Sequence, residues 1–284
     1  MKNILVATDF SNNAYCALFY VTKLLASKPC TFHLLNVFNE LTPLKGKKSK
    51  LFVGKKLLEK LKIESEENLT KTMHKIVLDN DNPKHQFQTI SEKGILSKIM
   101  TKTIDKLYID LVVMGNKGVT EAADIFFGSN TIQVANIINK CPILAIPGEM
   151  DFKEPKEIAF VTDFKKGCAK KSVEPLLFIA SLYKAKIRVL HITEEEILNT
   201  EQESNKKLLD ICLKDVDHTF HWRQLFDDKA KVIQEFLEKL NVDLYSMVNQ
   251  KHNLFEKLTR EPVIKDVSMY SETPFLILPS QDRL

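Results

Sequence analysis

The sequence predicts an α/β protein of two tandem, doubly wound, Rossmann-like domains, each a five-stranded parallel sheet with helices on both faces. Three observations predict it. The 284 residues exceed the ~100–200 of one typical domain. Strand-length apolar runs alternate with amphipathic helical stretches. The second half also echoes the first, block by block and in the same order.

Four blocks make the repeat. Ile4 to Phe10 (ILVATDF) returns as Ile158 to Phe164 (IAFVTDF), and Leu34 to Val37 returns as Val189 to Ile192. Asp110 to Met114 returns as Asp243 to Met247, and Cys141 to Pro147 returns as Thr273 to Pro279. The offset falls from 154 to 132, so the first half carries 22 extra residues between Val37 and Asp110. The Lys-rich stretch 39–62 is the expected place for them. Domains are expected over 1–149 and 154–284, joined near Gly148 to Pro155.

Within the first half, residues 2–8 are a continuous apolar run, the signature of a strand buried on both faces. Ser11 is a candidate N-cap for a helix over 12–27, with Tyr15, Leu18, Phe19, Thr22 and Leu25 at helical spacing. A strand is expected over 31–37, a long helix over 51–78 and a strand over 85–91. Gly94 opens a helix to Lys106, followed by a strand at 110–114, a helix at 129–139 and a last strand at 142–147. Pro142 is tolerated at the first position of that strand, where it need not donate. Parallel strands need crossover helices of right-handed sense. Ligands of such sheets sit at the carboxyl ends of the strands, where strand order reverses. The chemistry is therefore expected just after the first, second and fourth strands.

Composition excludes several classes. Hydrophobic residues are 44% and charged residues 27%, enough apolar side chain to offset the entropy of ordering. No run approaches the ~18 apolar residues of a transmembrane helix. The net charge of +4 comes from a Lys-dominated excess with four arginines (Arg188, Arg223, Arg260, Arg283), which argues against nucleic acid as a partner. The basic run Lys45, Lys47, Lys48, Lys50, Lys55, Lys56, Lys60 and Lys62 reads as a solvated loop and helix face. The five cysteines (Cys16, Cys30, Cys141, Cys168, Cys212) are odd in number and lack CxxC spacing, as in a reducing compartment. With an N-terminus unlike a signal peptide, the expected location is cytoplasmic.

The segment after the fourth strand reads Met114-Gly115-Asn116-Lys117-Gly118, then nine residues, then Gly128-Ser129-Asn130-Thr131. Gly115 and Gly118 are expected at positive φ, with no Cβ to block a ligand. Successive N–H groups in such a turn form an anion site. Gly128 precedes a helix whose N-terminus favours phosphate, with Ser129 and Thr131 as hydroxyl donors. The alternative is a pair of tight turns with Ser129 only capping a helix. Three of the chain's eight glycines at one switch point favour the ligand reading.

On these residues the whole chain resembles a tandem universal stress protein, a family with a Rossmann-like, HUP-type fold. Gly115-x2-Gly118-x9-Gly128-Ser129 resembles the pattern of its ATP-binding branch; Ala7 to Ser11 and Cys141 to Leu144 also fit. The resemblance implies that Asp9 hydrogen-bonds the nucleoside, with Ala7 and Thr8 on the same wall. It implies that Val37 meets adenine through its backbone and that Met114 packs near base or ribose. Gly115, Lys117 and Gly118 would contact ribose and phosphates; Gly128, Ser129, Asn130 and Thr131 would hold the phosphates. Mg²⁺ or Mn²⁺ would be held chiefly by the triphosphate. A turn or capping role for Asp9 and a core role for Val37 are the other readings.

The second half departs from the pattern. Val248, Lys251, Arg260 and Glu261 stand where Gly115, Gly118, Gly128 and Ser129 stand in the first. This half is expected not to bind ATP in the same way. It is expected to pack against the first half as a built-in pseudo-dimer partner, and the resemblance implies pairing through the last strands, near Ile143–Ile146 and Phe275–Leu278. A homodimer and a further protein partner stay open.

Other motifs fall away. Gly46-Lys47-Lys48-Ser49 lacks the first glycine of a phosphate loop. His218 and His221 on a strand point to opposite faces. Asp227-Asp228 reads as a helix N-cap, and Trp222 with Phe220 as core or interface. Three functions remain: an ATP-binding stress-response protein without catalytic residues, a scaffold that has lost nucleotide, and a weak ATP hydrolase.

Overall fold

In β1 (Lys2–Ala7), Ile4 and Val6 face one layer of helices while Leu5 and Ala7 face the other. A strand apolar on both sides needs cover on both sides, and this protein supplies it. The structure is a computed structural model describing residues 1–39, 55–116, 129–148, 150–165, 170–193, 197–224, 229–249 and 273–280.

The first half runs β1, α1 (Asn12–Leu24), β2 (Cys30–Phe38), α2 (Lys55–Asn80), β3 (His85–Lys93), α3 (Leu96–Leu107), β4 (Leu111–Gly115), α4 (Ser129–Ile137) and β5 (Ile143–Ile146). The second runs β6 (Glu157–Thr162), α5 (Lys170–Tyr183), β7 (Lys186–Thr193), α6 (Thr200–Leu213), β8 (His218–Gln224), α7 (Lys229–Lys239), β9 (Leu244–Val248) and β10 (Phe275–Leu278). Apolar side chains of α1, α2, α5 and α6 pack on one face of the sheet and those of α3, α4 and α7 on the other.

Strand order is β3-β2-β1-β4-β5-β10-β9-β6-β7-β8, one ten-stranded sheet. Within each half all pairs are parallel. The halves meet at an antiparallel pair in which Leu144 faces Leu276, Ile143 faces Ile277 and Ala145 faces Phe275. Those residues are equivalents in the repeat, so the junction has internal two-fold symmetry. It also covers two edges that would otherwise be open.

The repeated Thr-Asp-Phe has a local cause. Thr8 Oγ1 accepts from Phe10 N at 3.0 Å, and Thr162 Oγ1 from Phe164 N at 3.1 Å. Both phenylalanines take left-handed backbone, φ 64° and 54°, which only a well-held turn supports in a bulky residue. The aspartates before β4 and β9 are matched too. Asp110 accepts from Asn3 N at 2.8 Å, and Asp243 from Lys156 N at 2.8 Å and Glu157 N at 3.0 Å.

The expected elements of the first half are all present, with shifted ends. α1 stops at Leu24 rather than residue 27, because the following N–H groups make tighter three-residue turns, Ala26 N to Lys23 O at 3.2 Å and Lys28 N to Leu25 O at 2.9 Å, and Pro29 follows. Gly94 precedes α3 instead of opening it; its φ of +156° belongs to glycine. Part of the first half's extra length is α2, 26 residues against 14 in α6. Lys45, Lys47, Lys48 and Lys50, the Gly46-Lys47-Lys48-Ser49 run and Asp227-Asp228 lie outside the described residues. Among the described residues no helix is long and apolar enough to cross a membrane.

Candidate functional site

At the carboxyl ends of β1, β2 and β4 the chain encloses a cleft of about 300 Å³, the lower end of the ~300–1,000 Å³ range of small-molecule sites. Ala7, Thr8 and Asp9 line it after β1, Asn36, Val37 and Asn39 at and after β2, and Met114, Gly115 and Asn116 at the end of β4. Asn130, Thr131 and Gln133 enter from the first turns of α4. Eight expected site residues thus come together: Ala7, Thr8, Asp9, Val37, Met114, Gly115, Asn130 and Thr131. Lys117, Gly118 and Gly128 lie outside the described residues, and Ser129 opens α4.

Sequence reasoning missed Ala14, Asn36, Asn39, Asn116, Gln133 and the segment Gly94-Ile95-Leu96. The last follows β3, an edge strand whose end was not counted as part of the switch point. Its signal was an isolated glycine directly after a strand.

Hydrogen bonds fix the cleft's walls. Asn36 Nδ2 donates to Thr8 O at 2.7 Å, and Asn36 Oδ1 accepts from Ser65 Oγ of α2 at 2.8 Å. Ser65 and Ser91 of β3 share a further bond of 2.7 Å. This relay ties the end of β1 to α2 and β3. Asp9 Oδ1 accepts from Ser11 N at 3.0 Å and Ser11 Oγ at 2.6 Å, and Ser11 Oγ in turn accepts from Ala14 N at 3.2 Å as the N-cap of α1. Asp9 therefore shapes the turn while lining the cleft.

One expectation is corrected. Gly115 is not at positive φ. It is glycine because an added Cβ would meet Asn13 C and O at 3.0 Å and Ala14 N at 3.1 Å, where α1 crosses the end of β4. The Thr131 hydroxyl, at the cleft wall, donates to Gly115 O and Asn116 O at 3.4 Å each. It pins the start of α4 to β4.

Chemically, the cleft pairs apolar walls (Ala7, Val37, Ile95, Leu96, Met114) with amide side chains (Asn36, Asn39, Asn116, Asn130, Gln133). Among the described residues Asp9 is its one charged lining side chain. Positive potential comes from the amino end of α4, whose first N–H groups have no intrahelical partner. Among the described residues no cluster of three His, Cys, Asp or Glu could hold a metal ion. The Cys141 thiol is buried and its pKa pushed up to about 12, so it stays protonated.

The same edge of the second half is filled by its own side chains. His191 occupies the Asn36 position, its Nδ1 3.0 Å from Thr162 O, stacked on Phe164 at 4.8 Å and edge-on to Trp222 at 5.0 Å. Gln202 Nε2 donates to Asp163 O at 2.9 Å and Asn205 Nδ2 to Phe164 O at 2.8 Å. Trp222 is half-exposed against this cluster. His218 bonds Asp210 of α6 while His221 packs on Phe236 of α7, so the two histidines do face opposite ways.

The model of the universal stress protein family matches residues 1–147. The chain belongs to that family. A universal stress protein of Archaeoglobus fulgidus has a similar fold throughout, with 16% identity, a TM-score of 0.72, and coverage of 99% of this chain and 97% of that one. A universal stress protein of Pseudomonas aeruginosa is similar over 98% of this chain and 93% of its own, with 10% identity and a TM-score of 0.58. At these identities the likeness speaks for the fold. No curated protein sequence matches the chain significantly.

Proposed function

We propose that this universal stress protein binds one adenine nucleotide, ATP foremost, in the first-half cleft, and that its second half is a degenerate domain serving as a permanent partner. The domains are 1–149 and 154–284. The observation that carries the reading is the cleft itself: apolar walls and amides at a strand-order reversal, closed by the amino end of a helix. A planar base fits between Val37, Met114 and the Ala7–Asp9 wall, with the Val37 backbone reading its edge. Gly115, Lys117 and Gly118 hold ribose and phosphates. Gly128, Ser129, Asn130 and Thr131 cradle the phosphates, Thr131 by fixing the helix that presents the N–H groups. The residues fit a nucleotide whose phosphates bring their own Mg²⁺ or Mn²⁺, because among the described residues no carboxylate cluster is present to hold the ion. The nucleotide would alter contacts with a protein partner; no residue is assigned to hydrolysis.

The second half supports the partner role: its equivalent edge is occupied by Phe164, His191, Gln202 and Asn205, and its last strand pairs with that of the first half. The test is mild purification followed by heat release and chromatography of bound small molecules. Thermal melts with ATP–Mg²⁺ run beside it, on wild type and Gly118→Trp. A ligand at 100 times its Kd stabilises by about 2.7 kcal/mol. Released adenine nucleotide, or a shift lost in the variant, supports the proposal. No nucleotide and no shift at millimolar ATP leaves the scaffold reading.

A further inference from the structure

The two-fold symmetry of the β5–β10 junction relates two places between the halves. In one, Phe152 of the connecting segment packs edge-on against Tyr20 of α1 at 5.2 Å and lies 6.3 Å from Tyr183 of α5. The chain itself supplies an aromatic ring there. The adjacent carboxylate, Asp243, accepts from Lys156 N and Glu157 N and pairs with Lys153 at 2.6 Å.

The repeat maps this place onto its mate. Lys156 corresponds to Lys2 and Asp243 to Asp110. Aligning Ala17 to Val21 with Pro175 to Ile179 makes Tyr20 the counterpart of Phe178. Lys2, Asp110 and Phe178 all line a cleft of about 390 Å³, within the ~300–1,000 Å³ range of small-molecule sites. It lies at the amino ends of β1 and β4, the edge of the sheet opposite the nucleotide cleft. Buried Ile4, Leu111 and Ile179 make its floor, which favours an apolar occupant. Pro142, Pro175 and Pro279 border it, and proline rings lose no side-chain entropy on binding. Among the described residues no ring stands against Phe178 as Phe152 stands against Tyr20.

Charge selects the other end of the occupant. Lys2 pairs with Asp110 Oδ1 at 2.8 Å and lies 5.5 Å from the Phe178 ring. Asp110 Oδ2 accepts from Asn3 N at 2.8 Å, so both oxygens of this carboxylate are engaged. Lys140, before β5, and Lys171 of α5 also line the cleft. Among the described residues neither has an ion pair. Glu174 is the one further carboxylate among the described lining residues, against these two ammonium groups. The rim therefore favours an anion and the floor an apolar group. The aromatic ring on the symmetric side shows which apolar group fits against this helix face. We propose that the cleft binds a small aromatic carboxylic acid, its ring against Phe178 over the apolar floor and its carboxylate beside the Lys140 and Lys171 ammonium groups. Bound there, it joins α5 of the second half to β1 and β4 of the first, as Phe152 joins α1 to α5. The site is separate from the nucleotide cleft and its ligand is of a different class.

The test titrates the full chain with 2-naphthoate, a fluorescent aromatic acid, and in parallel with 2-naphthamide, its uncharged analogue. Saturable binding of naphthoate to one site is expected, undisturbed by ATP–Mg²⁺, with the amide about tenfold weaker or more. Lys140→Gln combined with Lys171→Gln changes two exposed side chains. It should weaken naphthoate roughly five- to tenfold and leave the melting temperature of the free protein unchanged. Phe178→Ala should weaken it as well. Hydrogen exchange with naphthoate bound should slow around Glu174–Ile179 of α5 and at the start of β4, with β3 and α4 unchanged. No saturable binding at millimolar naphthoate overturns the proposal. So does equal binding of the amide, equal binding by the double-lysine variant, or displacement of naphthoate by ATP–Mg²⁺, which would place it in the nucleotide cleft instead.

Discussion

Gly115→Ala tests the packing that shapes the cleft, and Gly148→Ala is its internal control. The Cβ added at Gly115 would stand 3.0 Å from Asn13 C and O and 3.1 Å from Ala14 N. Comfortable contact lies near 3.5–4.0 Å, so the neighbouring backbone must give by a few tenths of an ångström. The opposing atoms are backbone in the first turn of α1, held by the Ser11 cap, and cannot swing aside like a side-chain tip. Overpacking of this kind costs about 1–3 kcal/mol. At about 2–4 °C per kcal/mol for chains of this order of size, the melting temperature should fall by roughly 2–12 °C. Among the described residues the Cβ at Gly148 would meet Asn13 Oδ1 alone, at an ordinary contact distance of 3.5 Å, and that variant should melt within a degree or two of wild type. Differential scanning calorimetry of the three proteins decides. Displacement of α1 also moves Ala14, which lines the cleft, so Gly115→Ala should weaken nucleotide binding whereas Gly148→Ala should not. Equal melting of Gly115→Ala and wild type would refute the account of why glycine stands there.

Asn249→Ala should destabilise by about 1–3 kcal/mol in urea titration, because its Nδ2 donates across the halves to the buried Ala135 O of α4 at 2.6 Å and leaves that carbonyl orphaned when removed. It should also weaken nucleotide binding, since α4 presents its other end to the cleft. Asp243→Ala strips acceptors from Lys156 N and Glu157 N and a partner from Lys153; a loss of about 2 kcal/mol or more is expected by the same assay. Burial lowers the pKa of His33, and among the described residues neither ring nitrogen has a hydrogen-bond partner. Burial also lowers His85 and His191. A histidine depressed in the folded state contributes stability that is complete above its unfolded value of about 6.5 and is lost as pH falls through the folded value. The urea midpoint should therefore decline below pH 6.5, less steeply in His33→Gln; a flat profile from pH 7.5 to 5 would contradict this.

The sequence was most legible where one physical cause acts over many residues. The continuous apolar run Ile4–Ala7 and the repeated Thr-Asp-Phe turn announced both halves, and the matched runs Ile143–Ile146 and Phe275–Leu278 marked the strands that join them. Ends were less legible, because the stop of α1 lies in a change from four-residue to three-residue backbone hydrogen bonds after Leu25. The cleft was legible where glycines and strand ends coincide. It was not at Asn36, whose role comes from a relay through Ser65 and Ser91, residues 29 and 55 positions away. Gly115 was expected at positive φ, which it does not adopt; its contact with α1 is a tertiary fact that no local pattern encodes. The cleft bordered by Phe178 and Pro279 was invisible, since it exists only once the two halves are paired.

Binding stoichiometry tests the central claim most directly. Equilibrium dialysis of the intact chain against labelled ATP with Mg²⁺, over a range reaching millimolar, counts the sites. The account predicts one site per chain, abolished by Gly118→Trp and untouched by substitution of His191 or Trp222 in the second half. Zero sites would remove the nucleotide function, and two would show that the second half binds as well.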